Sequence, residues 1–377
     1  MAKSKVTKLK KGALDITSIR GIINKKAGRE VAHSLQDSNP TEVNEWIPTG
    51  SRWLDSIICK GKLAGIPVGK ISEIAGLEAT GKSFMAAQIA GNAQKMGIDV
   101  VYFDSESALD PGFLSRAGCD LERLMYVQAE SVEFVLETIE ELLSTGNKWL
   151  FIWDSLALTP SISDVEGDFN PQSSMAVKPR ILSKGMAKLT IPIADANATL
   201  LVLNQLKTNM AARTPAEAMT TPYFTPGGKA MSYAYSLRVW LTARKAKASF
   251  ITDDNGYRIG SEVKVKLEKS RFGTAGRTCN FKILWGDEDI GVQDEESWFD
   301  AIQVSDRLKQ SGAWFTLVKD DGSEEKFQRK NWTTKLQSEN FRNSVLTIMD
   351  NDVIMKFKNR EGNAEDFYDS DDPPTEE

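Results

Sequence analysis

Cysteine and histidine are scarce in this chain of 377 residues, which contains three cysteines and one histidine, His33. Cys59, Cys119 and Cys279 lie far apart, and no two of them form a CxxC pair. A zinc site made of cysteine and histidine needs several such ligands at close spacing, so the sequence excludes one. Scattered cysteines in an odd number are typical of reduced, buried thiols in a cytosolic protein.

Long apolar runs are also absent from the sequence. No run approaches the roughly 20 residues that cross a bilayer, and the lysine-rich N-terminus lacks the apolar stretch of a signal peptide. We therefore expect an intracellular, cytoplasmic protein without a membrane partner. The remaining composition, 41% hydrophobic and 26% charged, is sufficient for a sizeable folded core.

Positive charge is not in excess either, because the net charge is −5. Any surface that binds nucleic acid must therefore be a local concentration of lysine and arginine. Residues 1–40 are basic and weakly patterned, which is typical either of an arm that binds DNA or a partner, or of a solvated terminus. The opposite end is acidic, with no base after Arg360, and predicts a disordered tail that competes with DNA for basic surfaces.

Short apolar segments alternate with segments of helical periodicity such as residues 83–96. The apolar segments predict four buried strands, at residues 70–75, 99–104, 149–154 and 199–204. Their near-continuous apolar character is what a parallel sheet requires when helices cover both of its faces. The sequence therefore predicts an α/β core.

The pattern changes twice in the last third of the chain. Residues 235–244, 262–269 and 279–285 alternate more clearly, which predicts antiparallel strands that extend the sheet. From residue 297 the pattern is that of amphipathic helices, with a short loop at 319–326. We expect a small C-terminal domain of the α+β class there.

The strongest motif lies directly after a predicted strand and opens a predicted helix. It matches the P-loop pattern GxxxxGK[ST] with Gly76, Leu77, Glu78, Ala79, Thr80, Gly81, Lys82 and Ser83. Glycines let the backbone N–H groups turn towards phosphate oxygens, and the start of the helix adds partial positive charge. We expect Lys82 to reach the β and γ phosphates of ATP and the Ser83 hydroxyl to ligate Mg²⁺.

Two predicted strands end in acidic residues, at the edge where α/β sheets bind ligands. Asp154 closes an apolar run, as the Walker B aspartate does, and we expect it to hold Mg²⁺ through water. Glu106 follows the preceding strand and is the candidate for orienting or deprotonating the attacking water. Each acid has a plainer interpretation as a helix N-cap or a surface residue.

The strand at 199–204 ends in Asn204 and Gln205, ahead of a loop at 207–226. A neutral amide beside the γ-phosphate can sense that phosphate, although an amide at this position is equally typical of a turn. The loop contains Lys207, Arg213 and Phe224, and basic residues interleaved with aromatic ones suit single-stranded DNA.

Six motifs in this order and spacing resemble the bacterial RecA family of homologous-recombination proteins. They are residues 48–55, 76–83, 103–111, 152–160, 203–205 and 227–228. The resemblance runs from about residue 48 to residue 291. It implies a DNA-dependent ATPase that uses ATP and Mg²⁺ and forms helical filaments on single-stranded DNA. It also implies strand exchange with homologous double-stranded DNA, work alongside single-strand-binding and loader proteins, and association with the nucleoid.

The resemblance assigns roles at the ATP site position by position. Glu106 matches the catalytic glutamate, and Gln205 matches the glutamine that links the γ-phosphate to the second DNA-binding loop. Phe113 stands where the family has a tyrosine that stacks on adenine. Lys269 and Arg271 stand where the family has two lysines that reach ATP across the subunit interface. Without the resemblance, these two cations would be interpreted as solvated residues of a strand edge.

The resemblance also places a first DNA loop at about residues 166–174 and the second at 207–226. The DNA-binding residues that it implies are Lys207, Arg213, Phe224, Gly227, Gly228, Phe169 and Arg180. Both loops, including Phe169-Asn170-Pro171, differ from the usual text of the family. The chain as a whole is more divergent than a housekeeping bacterial member would be, which indicates a phage-encoded member, in a bacterial or phage-infected cell.

The resemblance divides the chain into four predicted segments. They are a basic N-terminal arm or oligomerisation segment (1–45), a RecA-like ATPase core (46–291), a small C-terminal domain (292–360) and the acidic tail (361–377). A ring helicase of the same fold, or another DNA-linked P-loop motor, shares the P-loop and both acids. A signalling or regulatory ATPase that binds protein is a further alternative. Closed rings in place of filaments distinguish the first, and the lack of DNA-stimulated hydrolysis distinguishes the second.

Overall fold

The computed structural model describes residues 15–37, 39–167, 177–210, 214, 219, 222–243, 249–286 and 290–355. The chain divides into two units, residues 1–44 and 45–377. In the first unit, helix α1 (Ile16–Ala27) begins after Asp15, whose carboxylate accepts a hydrogen bond from the backbone N–H of Ser18. The helix ends at Gly28, whose φ of 68° is the left-handed conformation that favours glycine.

The second unit contains the strands and the remaining helices. Its strands are β1 (Trp46–Ile47), β2 (Ile66–Pro67), β3 (Ile71–Gly76), β4 (Asp99–Asp104), β5 (Leu124–Gln128), β6 (Trp149–Asp154), β7 (Thr199–Gln205), β8 (Lys207–Thr208), β9 (Tyr223–Phe224), β10 (Leu237–Ala243), β11 (Phe250–Thr252), β12 (Arg258–Ser270), β13 (Thr278–Leu284), β14 (Gly291–Val292), β15 (Leu308–Ser311), β16 (Trp314–Val318) and β17 (Glu324–Gln328). Its helices are α2 (Arg52–Ile58), α3 (Lys82–Lys95), α4 (Pro111–Arg116), α5 (Val132–Leu143), α6 (Ile162–Glu166), α7 (Val177–Asp195), α8 (Gly228–Ala234), α9 (Asp294–Ala301), α10 (Trp332–Leu336) and α11 (Glu339–Ile348).

In the described part of the chain, ten strands form the central sheet. Their order is β14-β13-β12-β10-β3-β7-β6-β4-β5, with β11 beside β12. The strands from β10 to β5 are parallel to one another, whereas β12, β13 and β14 add antiparallel strands at one side. The predicted α/β class with a mostly parallel sheet is therefore confirmed.

In the parallel part of the central sheet, two strands differ from the sequence prediction. β10 was expected to be antiparallel, but it is parallel to β3 and antiparallel only to β12. Its alternating pattern misleads because Arg238 is a buried, paired residue and not a solvent-facing one. The prediction misses β5 altogether, because this edge strand is short and mostly exposed, although four of its five residues are apolar or aromatic.

Helices cover both faces of the sheet. On one face, Met85 and Ile89 of α3 pack against alternate strand residues such as Ile152. On the other face, α5 and α7 pack against the intervening residues such as Phe151. Because successive side chains of a strand point to opposite faces, these apolar strands fill two cores at once. Among the described residues, no helix combines the length and apolar character needed to cross a membrane.

The C-terminal part contains more strand than the helical pattern predicts. β15, β16 and β17 form a three-stranded antiparallel sheet, and the expected loop at 319–326 includes the start of β17. The strands are short, and only alternate residues such as Leu317 and Phe327 are buried, so the apolar pattern was weak. The rings of Phe299 and Trp332 join this cluster, which is continuous with the core beneath α3. The α+β class is confirmed, whereas the domain boundaries stay a prediction.

Candidate functional site

The P-loop connects the end of β3 to the start of α3. Gly81 has a φ of 83°, and a Cβ at this position would lie 2.6 Å from Cδ1 of Ile283. Ala79 also adopts a positive φ, of 54°. Glycine at position 81 is therefore required both by the backbone conformation and by the contact with β13. This tight turn places the first residues of α3 at the carboxyl edge of the parallel strands.

Lys82 extends back over the loop that precedes it. Its Nζ atom lies 3.0 Å from the carbonyl oxygen of Leu77 and 3.4 Å from that of Gly76. Burial lowers the pKa of Lys82, and the nearby carboxylates of Asp154 and Glu106 oppose that shift. The lysine and the two predicted acids therefore form one electrostatic cluster.

Asp154 ends β6 and is almost completely buried. Its Oδ2 atom accepts hydrogen bonds from the Ser83 hydroxyl at 2.9 Å and from the Tyr102 hydroxyl at 2.7 Å. Burial raises the pKa of Asp154, whereas the hydrogen bonds from Tyr102 and Ser83 lower it. Tyr102 was not predicted as a site residue, because a tyrosine within an apolar strand is usually only a core residue.

The Ser83 and Asp154 side chains fit a magnesium site in which the protein supplies only a few of the ligands. A hydroxyl and a carboxylate 2.9 Å apart are both oxygen donors, which Mg²⁺ prefers. Among the residues that the structure describes, no cluster of three or more histidine, cysteine, aspartate or glutamate side chains could hold a metal ion. With Ser83 and Asp154 as the protein ligands, phosphate and water oxygens would supply the rest of the Mg²⁺ coordination.

Glu106 lies on a turn that Asp104 holds in place. The Asp104 carboxylate accepts hydrogen bonds from four successive backbone N–H groups, those of residues 106–109, at 2.8 to 3.2 Å. The Glu106 Oε1 atom accepts a hydrogen bond from the Ser155 hydroxyl at 3.1 Å. The peptide bond between Asp154 and Ser155 is cis. Asp104 and Ser155 are thus two positioning residues that the sequence analysis did not single out.

One cavity of about 770 Å³ brings most of the predicted ATP-site residues together. It is lined by all eight residues of the P-loop together with Phe84, Glu106, Phe113, Asp154, Gln205, Leu206 and Trp285. The volume lies within the roughly 300–1,000 Å³ of small-molecule sites. Phe113 packs edge-on against Phe84, with ring centroids 4.3 Å apart. Trp285 was missed, because it follows an antiparallel strand, where the rule for parallel strand ends does not apply.

The predicted DNA-binding residues lie beside this edge of the sheet where they are described. Lys207 of β8 pairs with Phe224 of β9, so the two ends of the second loop meet. Arg180 lies exposed on α7. Arg213 and Phe169 lie outside the described residues.

Gly227 and Gly228 follow the second loop and open α8. Their φ angles are 107° and 81°, so both backbones are left-handed. A Cβ on Gly227 would lie 3.0 Å from Cγ of Met231 and 3.2 Å from Cδ2 of Leu156. Backbone conformation and close packing therefore both call for glycine at the end of this loop.

Lys269 and Arg271 reach the end of α8 side by side. The Nζ atom of Lys269 donates to the carbonyl oxygen of Ser232 at 2.7 Å, and a guanidinium nitrogen of Arg271 donates to that of Tyr233 at 2.8 Å. Cations favour the carbonyl end of a helix. In the described part of this chain, neither residue is among those that line the nucleotide cavity.

Comparison with known proteins agrees with this arrangement. The family model of the RecA N-terminal domain matches residues 15–290. The chain is 31% identical over 311 residues to the RecA protein of Bifidobacterium breve, which covers 82% of this chain and 74% of that protein. It is 30% identical over 314 residues to the RecA proteins of Saccharopolyspora erythraea, covering 82% of this chain and 86% of that protein, and of Fusobacterium nucleatum, covering 83% and 78%. The chain therefore belongs to the RecA family.

Proposed function

We propose that this chain hydrolyses ATP in the cavity above its P-loop and thereby controls its affinity for DNA during strand exchange. As a member of the RecA family, it is a DNA-dependent ATPase of homologous recombination. The proposal concerns which residues do this work. The observation that carries it is the joint lining of one cavity by the P-loop, Glu106, Asp154 and Gln205.

The residues of the cavity divide the chemistry among them. Lys82 and the backbone N–H groups of the P-loop stabilise negative charge on the β and γ phosphates. Ser83 and Asp154 hold Mg²⁺, which when bound neutralises charge on the phosphate oxygens. Glu106 orients the attacking water and accepts its proton, and the Ser155 hydroxyl fixes the direction of that carboxylate.

Lys269 and Arg271 complete the ATP site of a neighbouring subunit in a helical filament. Their position supports this role, because both cations lie together at the end of α8 and away from the cavity of their own chain. Cations supplied in trans to a transferred phosphoryl group accelerate transfer by roughly 10³–10⁵-fold in well-studied cases. Hydrolysis then depends on filament assembly.

DNA binds at the two predicted loops, residues 166–174 and 207–226. Lys207, Arg213 and Arg180 supply local positive charge in a chain whose net charge is −5. The first DNA is single-stranded and the second is its homologous double strand. Gln205 reports the γ-phosphate to the second loop, so ATP favours tight binding and ADP favours release. Single-strand-binding and loader proteins are the partners that such filaments use.

Two measurements on the wild-type protein test the proposal. ATP hydrolysis is measured with and without single-stranded DNA, and the protein is imaged on the same DNA by negative-stain electron microscopy. We expect hydrolysis to rise with DNA and helical filaments to form in the presence of ATP. Closed rings would indicate a helicase of the same fold, and hydrolysis that ignores DNA would indicate a regulatory ATPase.

A further inference from the structure

A buried ion pair crosses two central strands behind the nucleotide cavity. Glu73 of β3 and Arg238 of β10 lie opposite each other in the parallel register. The Arg238 Nε atom donates to Glu73 Oε2 at 2.7 Å, and the two side chains are 10% and 0% exposed. The described lining of the nucleotide cavity includes neither residue. Neither Glu73 nor Arg238 therefore has a role in the hydrolysis mechanism proposed above.

Hydrogen bonds extend from Glu73 to the strand end that carries Gln205. The other carboxylate oxygen of Glu73 accepts from the Asn204 side-chain amide at 3.0 Å. The Asn204 side-chain carbonyl in turn accepts from the backbone N–H of Gln205 at 2.9 Å. A change in the position of the Gln205 backbone N–H therefore acts directly on the Asn204 side chain that Glu73 binds.

The same group of side chains also reaches the end of the second DNA loop. A guanidinium nitrogen of Arg238 donates to the Thr225 hydroxyl at 2.8 Å. The Asn204 amide donates to the carbonyl oxygen of Pro226 at 3.0 Å. Residues 225 and 226 immediately precede Gly227, which is the N-cap of α8. A continuous set of hydrogen bonds, made by side chains and backbone groups, thus joins the cavity wall to the loop.

We propose that Glu73 and Arg238 are positioning residues that transmit the state of the nucleotide cavity to the second DNA loop. This inference rests on the proposed role of Gln205 at the γ-phosphate. When Gln205 shifts, Asn204 shifts with it, and the pair passes the change to Thr225. Hydrogen bonds to charged groups in a low-dielectric interior are strong and directional, so such a network has few alternative arrangements.

The chemistry of the Glu73–Arg238 pair favours this transmitting role over a role in stabilising the fold. A buried ion pair adds little stability compared with apolar side chains of the same volume, because both charges lose their hydration. Burial raises the pKa of Glu73, and the charge of Arg238 is the largest influence that opposes this shift. The guanidinium also lies 5.7 Å from the ring centroid of Tyr235 and 5.6 Å from that of Trp240, which restricts its movement.

The test compares DNA affinity in two nucleotide states. The dissociation constant for a fluorescent oligo-dT strand is measured by anisotropy, with the slowly hydrolysed analogue ATPγS and with ADP. The ratio of the two constants measures the coupling, and linked sites commonly differ by about 5–150-fold. Nucleotide affinity and melting temperature are measured separately for each protein.

Two variants interrupt the network at different points. Thr225→Val removes only the hydroxyl that Arg238 binds and keeps the shape of the side chain. Glu73→Gln removes the charge and keeps the length. The matched control is Asp55→Asn, because Asp55 is another buried carboxylate, held by Thr49 in a separate hydrogen-bond group.

In the wild type, we expect the ratio of the two dissociation constants to be at least about fivefold. In Thr225→Val and Glu73→Gln, we expect this ratio to lie within about twofold of one. Nucleotide affinity should stay unchanged in both variants, and Asp55→Asn should keep the wild-type ratio. Thr225→Val remains decisive if Glu73→Gln fails to fold, because Thr225 is only half-buried.

The contrary outcomes separate the two proposals. A wild-type ratio near one would overturn the nucleotide coupling in the proposed function, and this inference with it. A wild-type ratio that survives in both variants would overturn this inference alone and leave the pair a structural feature. An equal loss in Asp55→Asn would likewise overturn it, because the substitution of any buried acidic side chain would then explain the effect.

Discussion

The Ser155 hydroxyl donates a 3.1 Å hydrogen bond to the Glu106 carboxylate. Ser155 directly follows Asp154, so the ends of β4 and β6 are joined beside both acids. A second link lies close by, because the backbone N–H of Ser155 donates to the Ser105 hydroxyl at 2.9 Å. These bonds fix the proposed water-orienting carboxylate relative to the proposed magnesium ligand.

The first prediction concerns Glu106→Gln. This variant should bind ATP with near wild-type affinity but hydrolyse it at least ~10²-fold more slowly, because the amide cannot accept the proton of water. Its complexes with single-stranded DNA should last longer than those of the wild type. Single-turnover hydrolysis and DNA dissociation rates measure both effects.

Ser155→Ala is the matched control for Glu106→Gln. It removes the hydrogen bond and keeps the carboxylate, so kcat should fall by a smaller factor, with KM for ATP unchanged. Loss of ATP binding in Glu106→Gln would contradict the assignment and favour a structural role for this side chain.

The second prediction concerns Lys82→Ala. Removal of this charge should lower DNA-stimulated ATP turnover by at least ~10²-fold, because the γ phosphate loses a cation in the transition state. Lys95→Ala, at the exposed end of the same helix, is the control and should keep wild-type turnover. Near-normal turnover in Lys82→Ala would remove the P-loop from the mechanism.

The ATP site could be predicted from the sequence because its motifs are local. Residues 76–83 combine a strand end, a glycine turn and a helix start, so their chemistry depends on contacts within one short segment. Asp154 and Glu106 could be placed because parallel strands end at a common edge. The cavity lining agrees with this placement, and their chemical roles stay predictions.

Residues that depend on pairing between distant strands could not be found in this way. Glu73 and Arg238 are 165 positions apart, and nothing in either strand alone reveals that β3 and β10 are neighbours. Trp285 reaches the cavity only because β13 packs against the P-loop at Gly81. Without the resemblance, Lys269 and Arg271 would be interpreted as solvated residues of a strand edge. Their hydrogen bonds to the carbonyl groups of α8 could not be foreseen, because α8 was not predicted.

The third prediction concerns stability and Asp55. Burial raises the pKa of Asp55 to about 8 from an ordinary value of 3.8, despite hydrogen bonds from Thr49. Because the folded-state pKa is the higher one, this group stabilises the fold at low pH, and the contribution is lost as pH rises towards 8. The slope cannot exceed about 1.4 kcal/mol per pH unit for one group.

Asp55→Asn should remove that slope and keep an acceptor oxygen for Thr49. The variant should therefore gain stability over the wild type as pH rises from 6 to 8. Urea unfolding across this range measures the difference. Asp294, whose pKa burial raises to about 6, acts with the same sign at lower pH, so the range above 6 isolates Asp55. A difference that does not change with pH would show that Asp55 ionises normally.

The fourth prediction concerns the second DNA loop. Arg213→Ala should weaken binding to single-stranded DNA equally for different base sequences, because a phosphate contact carries no sequence information. The slope of log affinity against log salt should become shallower by about one unit or less. Lys188→Ala removes a cation of α7 that pairs with Glu140 of α5, and this control should leave the slope unchanged. Unchanged affinity of Arg213→Ala at every salt concentration would exclude this phosphate contact.

The last prediction tests whether Lys269 and Arg271 act on a neighbouring subunit. Lys269→Ala and Lys82→Ala should each be inactive alone, because one lacks the trans cation and the other lacks the P-loop charge. Arg271→Lys should be partly functional, since lysine keeps the charge but loses the planar, bidentate fork of arginine.

Mixing the two inactive proteins provides the decisive measurement. In a mixed filament, some junctions join the intact P-loop of a Lys269→Ala subunit to the intact cations of a Lys82→Ala subunit. Those junctions should hydrolyse ATP, so the mixture should regain activity that neither protein has alone. The gain should be largest near equal amounts, where unlike neighbours are most frequent. If electron microscopy confirms mixed filaments and no activity returns, Lys269 acts within its own subunit, where it already binds the end of α8.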